Sequence, residues 1–400
     1  MSSADLAAPA ATGSASGAPP AKGARFAHLA PLDGLRAIAV AAVMAFHTGA
    51  GWAVGGFLGV DVFFVLSGFL ITVLLVKEWQ RRGTVSLRRF YARRALRLLP
   101  AVALLCAVLL IIGPVGTGVS ARNALWKAVA GTMFYFQNWQ QAFHWIPILQ
   151  LTDHTWSLAI EEQFYLVWPA LLIGTMFLAR RRGRDPLRIA MIVALALAAT
   201  SAILKIVMWS GPSSQARIYY GTDTRADSLL IGAALGIAYA SGVLERARRW
   251  LPALAPVAVV IIVVTFGFAH DNSARLYQGG LTGFALVCAV LIGGLALAPG
   301  SAVGRVLAIG PLVLLGRISY GIYLWHWPVF RYLHEARLGL SWGPTQLVRI
   351  AVTLAAATIS FYVLERPMLR LRHRFDPPAD PVTPPAPASS TPGAANPVAG

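Results

Sequence analysis

Residues 32–47 read LDGLRAIAVAAVMAFH. Apart from Asp33 and Arg36 near its start and His47 at its end the stretch is apolar, and with its neighbours it nears the roughly 20 residues a helix needs to cross a bilayer core. Arg36 and His47 stand eleven residues apart. That is almost three full turns, so on a helix they share one face about 16 Å apart along the axis. Ionisable groups inside a span are costly and usually line a polar cavity or mark function. The bland alternative is an arginine whose head reaches the interface and a histidine packed against a neighbour.

Outward from this stretch, apolar runs recur near 57–76, 96–112, 157–178, 188–208, 227–242, 252–268, 281–298, 312–332 and 345–364, which with 32–49 makes ten. The composition agrees: of 400 residues 57% are hydrophobic and 12% charged, about half the charge of a soluble domain. The expected fold is all-α, a polytopic transmembrane helical bundle of about ten spans. A weaker segment, 122–139, mixes Arg122, Asn123, Lys127, Gln137 and Asn138 with aromatics. It reads as amphipathic, lying in the interface or dipping into the membrane. Residues 1–26 and 375–400, rich in Ala, Gly, Ser and Pro, read as disordered tails around a membrane domain at 27–374.

The net charge is +18. The basic residues sit in short clusters between apolar runs: eight between Lys77 and Arg97, then Arg180, Arg181, Arg182, Arg184 and Arg188, then Arg246, Arg248 and Arg249. That is the pattern of cytoplasmic loops facing anionic lipid, not of nucleic-acid binding. Ten spans with both termini cytoplasmic keep these clusters on one side, in an inner (plasma) membrane; a full crossing at 122–139 would export every later one. Cys106 and Cys288 lie in apolar runs without metal-ligand spacing, and no metal site is expected.

Other polar residues stand where a membrane should not tolerate them. Asp61 opens the second span and either caps its helix or orients His47; Ser67 and Gly68 fall mid-span as packing positions. Arg94 and Arg97, three apart on one face, suit a phosphate, although a plain basic cluster has the same spacing. Glu161 and Glu162 lie a turn inside the fourth span, one expected toward the cavity and one toward the interface. Asp223, Arg225 and Asp227 open the sixth span and either pair together or meet a substrate. Tyr320 and His326 fall in the ninth.

Taken together these segments resemble acyltransferase family 3, the integral membrane O-acyltransferases that modify bacterial surface polysaccharides and some antibiotics. The resemblance rests on LDGLRAIAVAAVMAFH (32–47), GVDVFFVLSGFLIT (59–72), FYARRALRLLP (90–100), HTWSLAIEEQFYLVWP (154–169), TRADSLLIGAALG (224–236), GRISYGIYLWHWP (316–328) and ISFYVLERP (359–367). It implies acyl-CoA, usually acetyl-CoA, as a cytoplasmic donor substrate, with no tightly bound cofactor, and a carbohydrate hydroxyl as acceptor. Arg36 and His47 match the family's first-span motif. Arg94 and Arg97, with Arg93 beside them, match a basic motif that serves CoA. His47 is then the expected catalytic residue, with Arg36, Glu161 or Asp61 in support, and Asp223, Arg225 and Glu162 are expected at the acceptor. Many members carry a C-terminal SGNH-type hydrolase domain, whereas this chain reads as a stand-alone form. Lipopolysaccharide O-antigen, another exported glycan, a peptidoglycan sugar, a nodulation oligosaccharide and a macrolide all stay open as acceptors. The oligomeric state is not legible. A transporter or flippase would also need intramembrane charge, and a membrane scaffold would pair its polar groups with no cavity between them.

Overall fold

A computed structural model describes residues 29–113, 119–145 and 151–371. The terminal segments expected to be disordered lie outside the described residues. Among those residues the chain is all-α, without a strand.

Among the described residues eight helical segments are long and apolar enough to cross a membrane. In chain order the α-helices begin with α1 (Ala30–His47), α2 (Gly59–Arg82), α3 (Leu87–Ile112), α4 (Val119–Met133), α5 (Gln137–Ala142), α6 (Trp156–Arg181) and α7 (Pro186–Met208). After α8 (Gln215–Tyr220) and α9 (Thr222–Ala240) come α10 (Leu251–Phe268) and α11 (Leu281–Leu297), then the short α12 (Ala302–Leu307). The chain closes with α13 (Gly310–Arg317), α14 (Ser319–Tyr332), α15 (Glu335–Leu338), α16 (Trp342–Ser360) and α17 (Arg366–Leu371). This is a multi-pass membrane protein. Of the ten expected spans, the sixth is α9, a 19-residue helix bearing three charges. The ninth is not one helix but two, α13 and α14, broken at Ile318.

Local chemistry sets several boundaries. Ser86 caps α3 by accepting the Arg89 N–H. Asp185 caps α7 by accepting from Leu187 and Arg188, with Pro186 in the first turn, where its missing N–H costs nothing. Gly83 ends α2 at φ 68°, a left-handed cap that favours glycine. The segment at 122–139 forms no single helix of spanning length. It is the pair α4 and α5, separated by a turn in which Tyr135 takes φ 55°.

The helix α2 runs through the middle of the bundle, with Val62, Phe64, Val65, Phe69 and Val73 fully buried. It packs on α9 at backbone distance: a Cβ on Gly68 would stand 1.9 Å from the Leu229 carbonyl oxygen, and one on Gly232 would stand 2.1 Å from that of Val65. Small residues permit this contact, and dispersion and close fit hold spanning helices together where lipid supplies no hydrophobic drive. On the outside, α10 exposes Val257, Val260, Ile261, Val263 and Val264, the apolar surface that suits lipid.

The three charges at the start of α9 are not paired with one another. Asp223 takes a bidentate pair from Arg217 of α8, at 2.9 and 2.7 Å. Arg225 bonds Asp61 of α2 at 2.9 Å, and Asp227 bonds Lys205 of α7 at 2.7 Å; both of these pairs are fully buried. Each charge thus ties α9 to a different helix.

Candidate active site

The helices α1 and α14 run side by side in the same direction. Near their starts Arg36 Nε donates to Ser319 Oγ at 3.2 Å. At the far end the His47 and His326 rings meet, Nδ1 to Nε2 at 3.0 Å. Trp327 packs on His47 with ring centroids 4.5 Å apart. On α14, Pro328 has no N–H to give the carbonyl four residues back, that of Leu324. His154, from the turn before α6, fills the vacancy: its Nε2 donates to Leu324 O at 3.0 Å. The sequences HTW and LWHWP are thereby joined by a hydrogen bond from a side chain to a backbone carbonyl.

Arg36 lines a small cavity of about 120 Å³. It shares that space with Arg94 and Arg97 of α3 and with Glu161, Glu162 and Tyr165 of α6. Arg94 donates to Glu162 at 3.2 Å, and its guanidinium carbon lies 3.2 Å from the Tyr165 ring centroid. The Tyr165 hydroxyl donates to Glu161 at 3.0 Å. Both glutamates therefore face this cavity, where one was expected at the interface; Arg94 and Tyr165 fill the angle between them. Glu162 lies with the arginines and not on an acceptor side. Arg93 does not line the cavity and stands 3.9 Å from Glu78.

His47 lines a second cavity, of about 660 Å³, whose walls include His154, Tyr219, Tyr220, Tyr277 and Trp327. Ala128 of α4 and Gln137, Gln140 and Gln141 of α5 line it too, which gives the 122–139 segment its place. Val60 and Tyr323 line both cavities. Tyr323 is held there by its hydroxyl, 2.6 Å from Ser157 Oγ and donating to His154 O at 2.7 Å. Arg36 and His47 do not share one pocket, as their common face suggests. They line two pockets that adjoin at these two residues.

Several expected site residues lie elsewhere. Asp61 does not orient His47: it is wholly buried, accepting from Arg225 at 2.9 Å and from Ser228 at 3.3 Å. Arg225, committed to Asp61, and Asp223, committed to Arg217, line neither cavity. Ser67, expected only to pack, lines the small cavity. His326 is an intramembrane histidine of the run 312–332, and Lys205 is an ionisable residue inside the apolar run 188–208. The signal for both was the cost of an ionisable group in a span. Among the described residues no three His, Cys, Asp or Glu side chains cluster as metal ligands, and Cys106 and Cys288 are free and buried.

Comparison with known proteins adds relatives. The peptidoglycan O-acetyltransferase OatA of Listeria monocytogenes is 34% identical over 351 residues, covering 84% of this chain and 55% of the relative. The O-acetyltransferase OatA of Staphylococcus aureus is 34% identical over 359 residues, covering 85% of this chain and 57% of the relative. The chain thus spans about half the length of the curated relatives it matches. No solved structure matches it. The acyltransferase-domain family matches residues 29–365, every described helix but the last, and the chain belongs to that family.

Proposed function

We propose that this protein moves an acetyl group from cytoplasmic acetyl-CoA to a sugar hydroxyl of a cell-wall carbohydrate. Peptidoglycan is the acceptor that a relative's name carries. The observation that carries the reading is the pair of adjoining cavities, one lined by three arginines and the other by His47. The clustering of basic residues supports a plasma-membrane protein with both termini and the arginine-lined cavity toward the cytoplasm.

In this reading the CoA phosphates approach Arg97 and Arg94, the latter held in place by Glu162 and Tyr165. The pantetheine arm passes Arg36 and carries the thioester to the junction at Val60 and Tyr323, a distance on the scale of the roughly 16 Å between Arg36 and His47 along α1. The acceptor occupies the larger cavity, where aromatic faces and amides suit a sugar. His47 removes the hydroxyl proton, the oxygen attacks the thioester carbonyl, and the carbon–sulfur bond breaks. The departing CoA thiolate takes the proton back from the imidazolium, which leaves free CoA, an acetyl ester and neutral His47. Because donor and acceptor sit in separate cavities that adjoin, both are bound together and direct transfer needs no acyl-enzyme.

The test is His47→Ala in the full chain, reconstituted in nanodiscs and assayed with radiolabelled acetyl-CoA and peptidoglycan fragments. A loss of at least about 100-fold in kcat is expected for a general base. Transfer within a few-fold of wild type would overturn the reading.

A further inference from the structure

The His47 ring has two nitrogens, and only one that lacks a proton can act as a base. Which nitrogen carries the proton is set by the hydrogen bond that the other makes. His326 Nδ1 lies in hydrogen-bond contact with the carbonyl oxygen of Tyr323, three residues back on its own helix. A carbonyl only accepts, so His326 Nδ1 bears the proton. His326 is wholly buried, and no carboxylate among the described residues pairs with it, so a second ring proton would leave an uncompensated charge away from water. Its Nε2 is therefore a lone-pair acceptor. Facing it at 3.0 Å is His47 Nδ1, which must then be the donor. The proton of His47 is fixed on Nδ1, and its Nε2 is left unprotonated. His47 is partly exposed and its ring lines the larger cavity, with Nδ1 committed to His326, so Nε2 is the nitrogen left to the acceptor side.

We propose that His326 is a positioning residue that selects the reactive tautomer of His47, through a relay running from the Tyr323 carbonyl to His326 to His47. The place given to a carboxylate by analogy with other catalytic triads is filled here by a neutral imidazole anchored on its own helix backbone. The arrangement of α14 supports this. Pro328 leaves the Leu324 carbonyl to His154, and Tyr323, whose carbonyl starts the relay, is itself tied by its hydroxyl to Ser157 and His154. The element that presents His326 is thus braced one turn from the contact. The inference rests on the proposed role of His47 as base.

The experiment combines kinetics with a direct view of the proton. In the full chain in nanodiscs, His326→Leu, which has no acceptor, is expected to lower kcat about 100-fold with the KM for acetyl-CoA changed less than twofold. His326→Gln, whose amide oxygen can take the His47 Nδ1–H, is expected to recover at least tenfold of that loss. Equal loss in both variants, or a rise in KM that accounts for it, would overturn tautomer selection. The second arm is solid-state nitrogen-15 NMR of the histidine-labelled chain in bilayers, with the His47 signals identified by their absence in His47→Ala. A protonated Nδ1 and an unprotonated Nε2 are expected in wild type, with a mixture in His326→Leu. The opposite tautomer in wild type would overturn the proposal whatever the kinetics. Should His47→Ala keep its activity while the NMR pattern holds, the failure would lie in the proposed function and not in the relay.

Discussion

Replacing Asp61 by alanine would remove the only carboxylate bonded to a wholly buried guanidinium. Asp61 and Arg225 side chains are both fully shielded, 2.9 Å apart, and two other nitrogens of Arg225, Nε and Nη1, have no partner. The arginine left behind would be a desolvated charge with no bonded carboxylate, facing only the rings of Phe64, Trp156 and Tyr219 at 5.1–6.0 Å. Breaking a buried pair from one side costs about 3–5 kcal/mol, a large share of the roughly 5–15 kcal/mol that holds a typical protein folded. The double variant Asp61→Leu with Arg225→Met removes both charges and keeps apolar volume, which is neutral or stabilising by up to about 4 kcal/mol in comparable cases. The assay is denaturant unfolding in detergent micelles followed by tryptophan fluorescence, with acetyl transfer measured per folded molecule. The expectation is a marked loss of stability in Asp61→Ala, its recovery in the double variant, and near-normal turnover once the folded fraction is counted. If Asp61→Ala folds within about 1 kcal/mol of wild type, below the range for a broken pair, while turnover per folded molecule falls 100-fold, Asp61 belongs to the chemistry and the structural assignment is wrong.

Two further perturbations test the frame and the junction. Gly68→Ala would place a methyl 1.9 Å from the Leu229 carbonyl oxygen, forcing α2 and α9 apart; a loss of about 1–3 kcal/mol is expected from overpacking, read in the same unfolding assay, and unchanged stability would refute the close contact. Val60→Phe should narrow the passage between the two cavities. Transfer is expected to fall at least tenfold while equilibrium binding of desulfo-CoA stays within twofold, and a variant that transfers normally would show that acyl groups do not pass that residue.

What the sequence displays and what it hides divide along one line. Properties of a single helix were legible: the apolar runs, the common face of Arg36 and His47, and the three-residue spacing of Arg94 and Arg97. Partnerships between helices were not. His47 and His326 are 279 positions apart, and nothing in either segment reports the depth or rotation at which two spans meet. The TRAD segment shows this most clearly. Asp223, Arg225 and Asp227 lie within about one turn and include both signs of charge, so mutual pairing is the natural reading of the sequence. On a helix Arg225 points to the side opposite the two aspartates, which share a face one turn apart, and each met a charge on a different neighbour, with Lys205 the one that the apolar pattern concealed. Asp61 was misassigned for the same reason. It lies near His47 in sequence, but its side chain faces α9. The cost of a buried charge is written in the sequence, whereas the group that offsets it is not.

The break in the ninth span sets how α13 and α14 meet α1. A continuous helix over 312–332 would have a single face to offer α1. Instead α13 meets the start of α1 at backbone distance, with a Cβ on Gly316 standing 1.9 Å from the Asp33 carbonyl oxygen and Arg317 Nε 3.7 Å from the Asp33 carboxylate. The chain turns at Ile318, and α14 begins at Ser319 directly on Arg36. From that shared origin α14 needs seven residues, about 10 Å, to reach His326, and α1 needs eleven, about 16 Å, to reach His47. Two helices that start in register and end in a ring-to-ring bond are held at both ends. Between those ends Val60 of α2 and Tyr323 of α14 face both cavities, so the passage is bounded by one residue from each of these helices. That is the condition a transfer between two bound substrates requires, because a thioester carbonyl and a hydroxyl must be brought together while the bulk of each substrate stays on its own side.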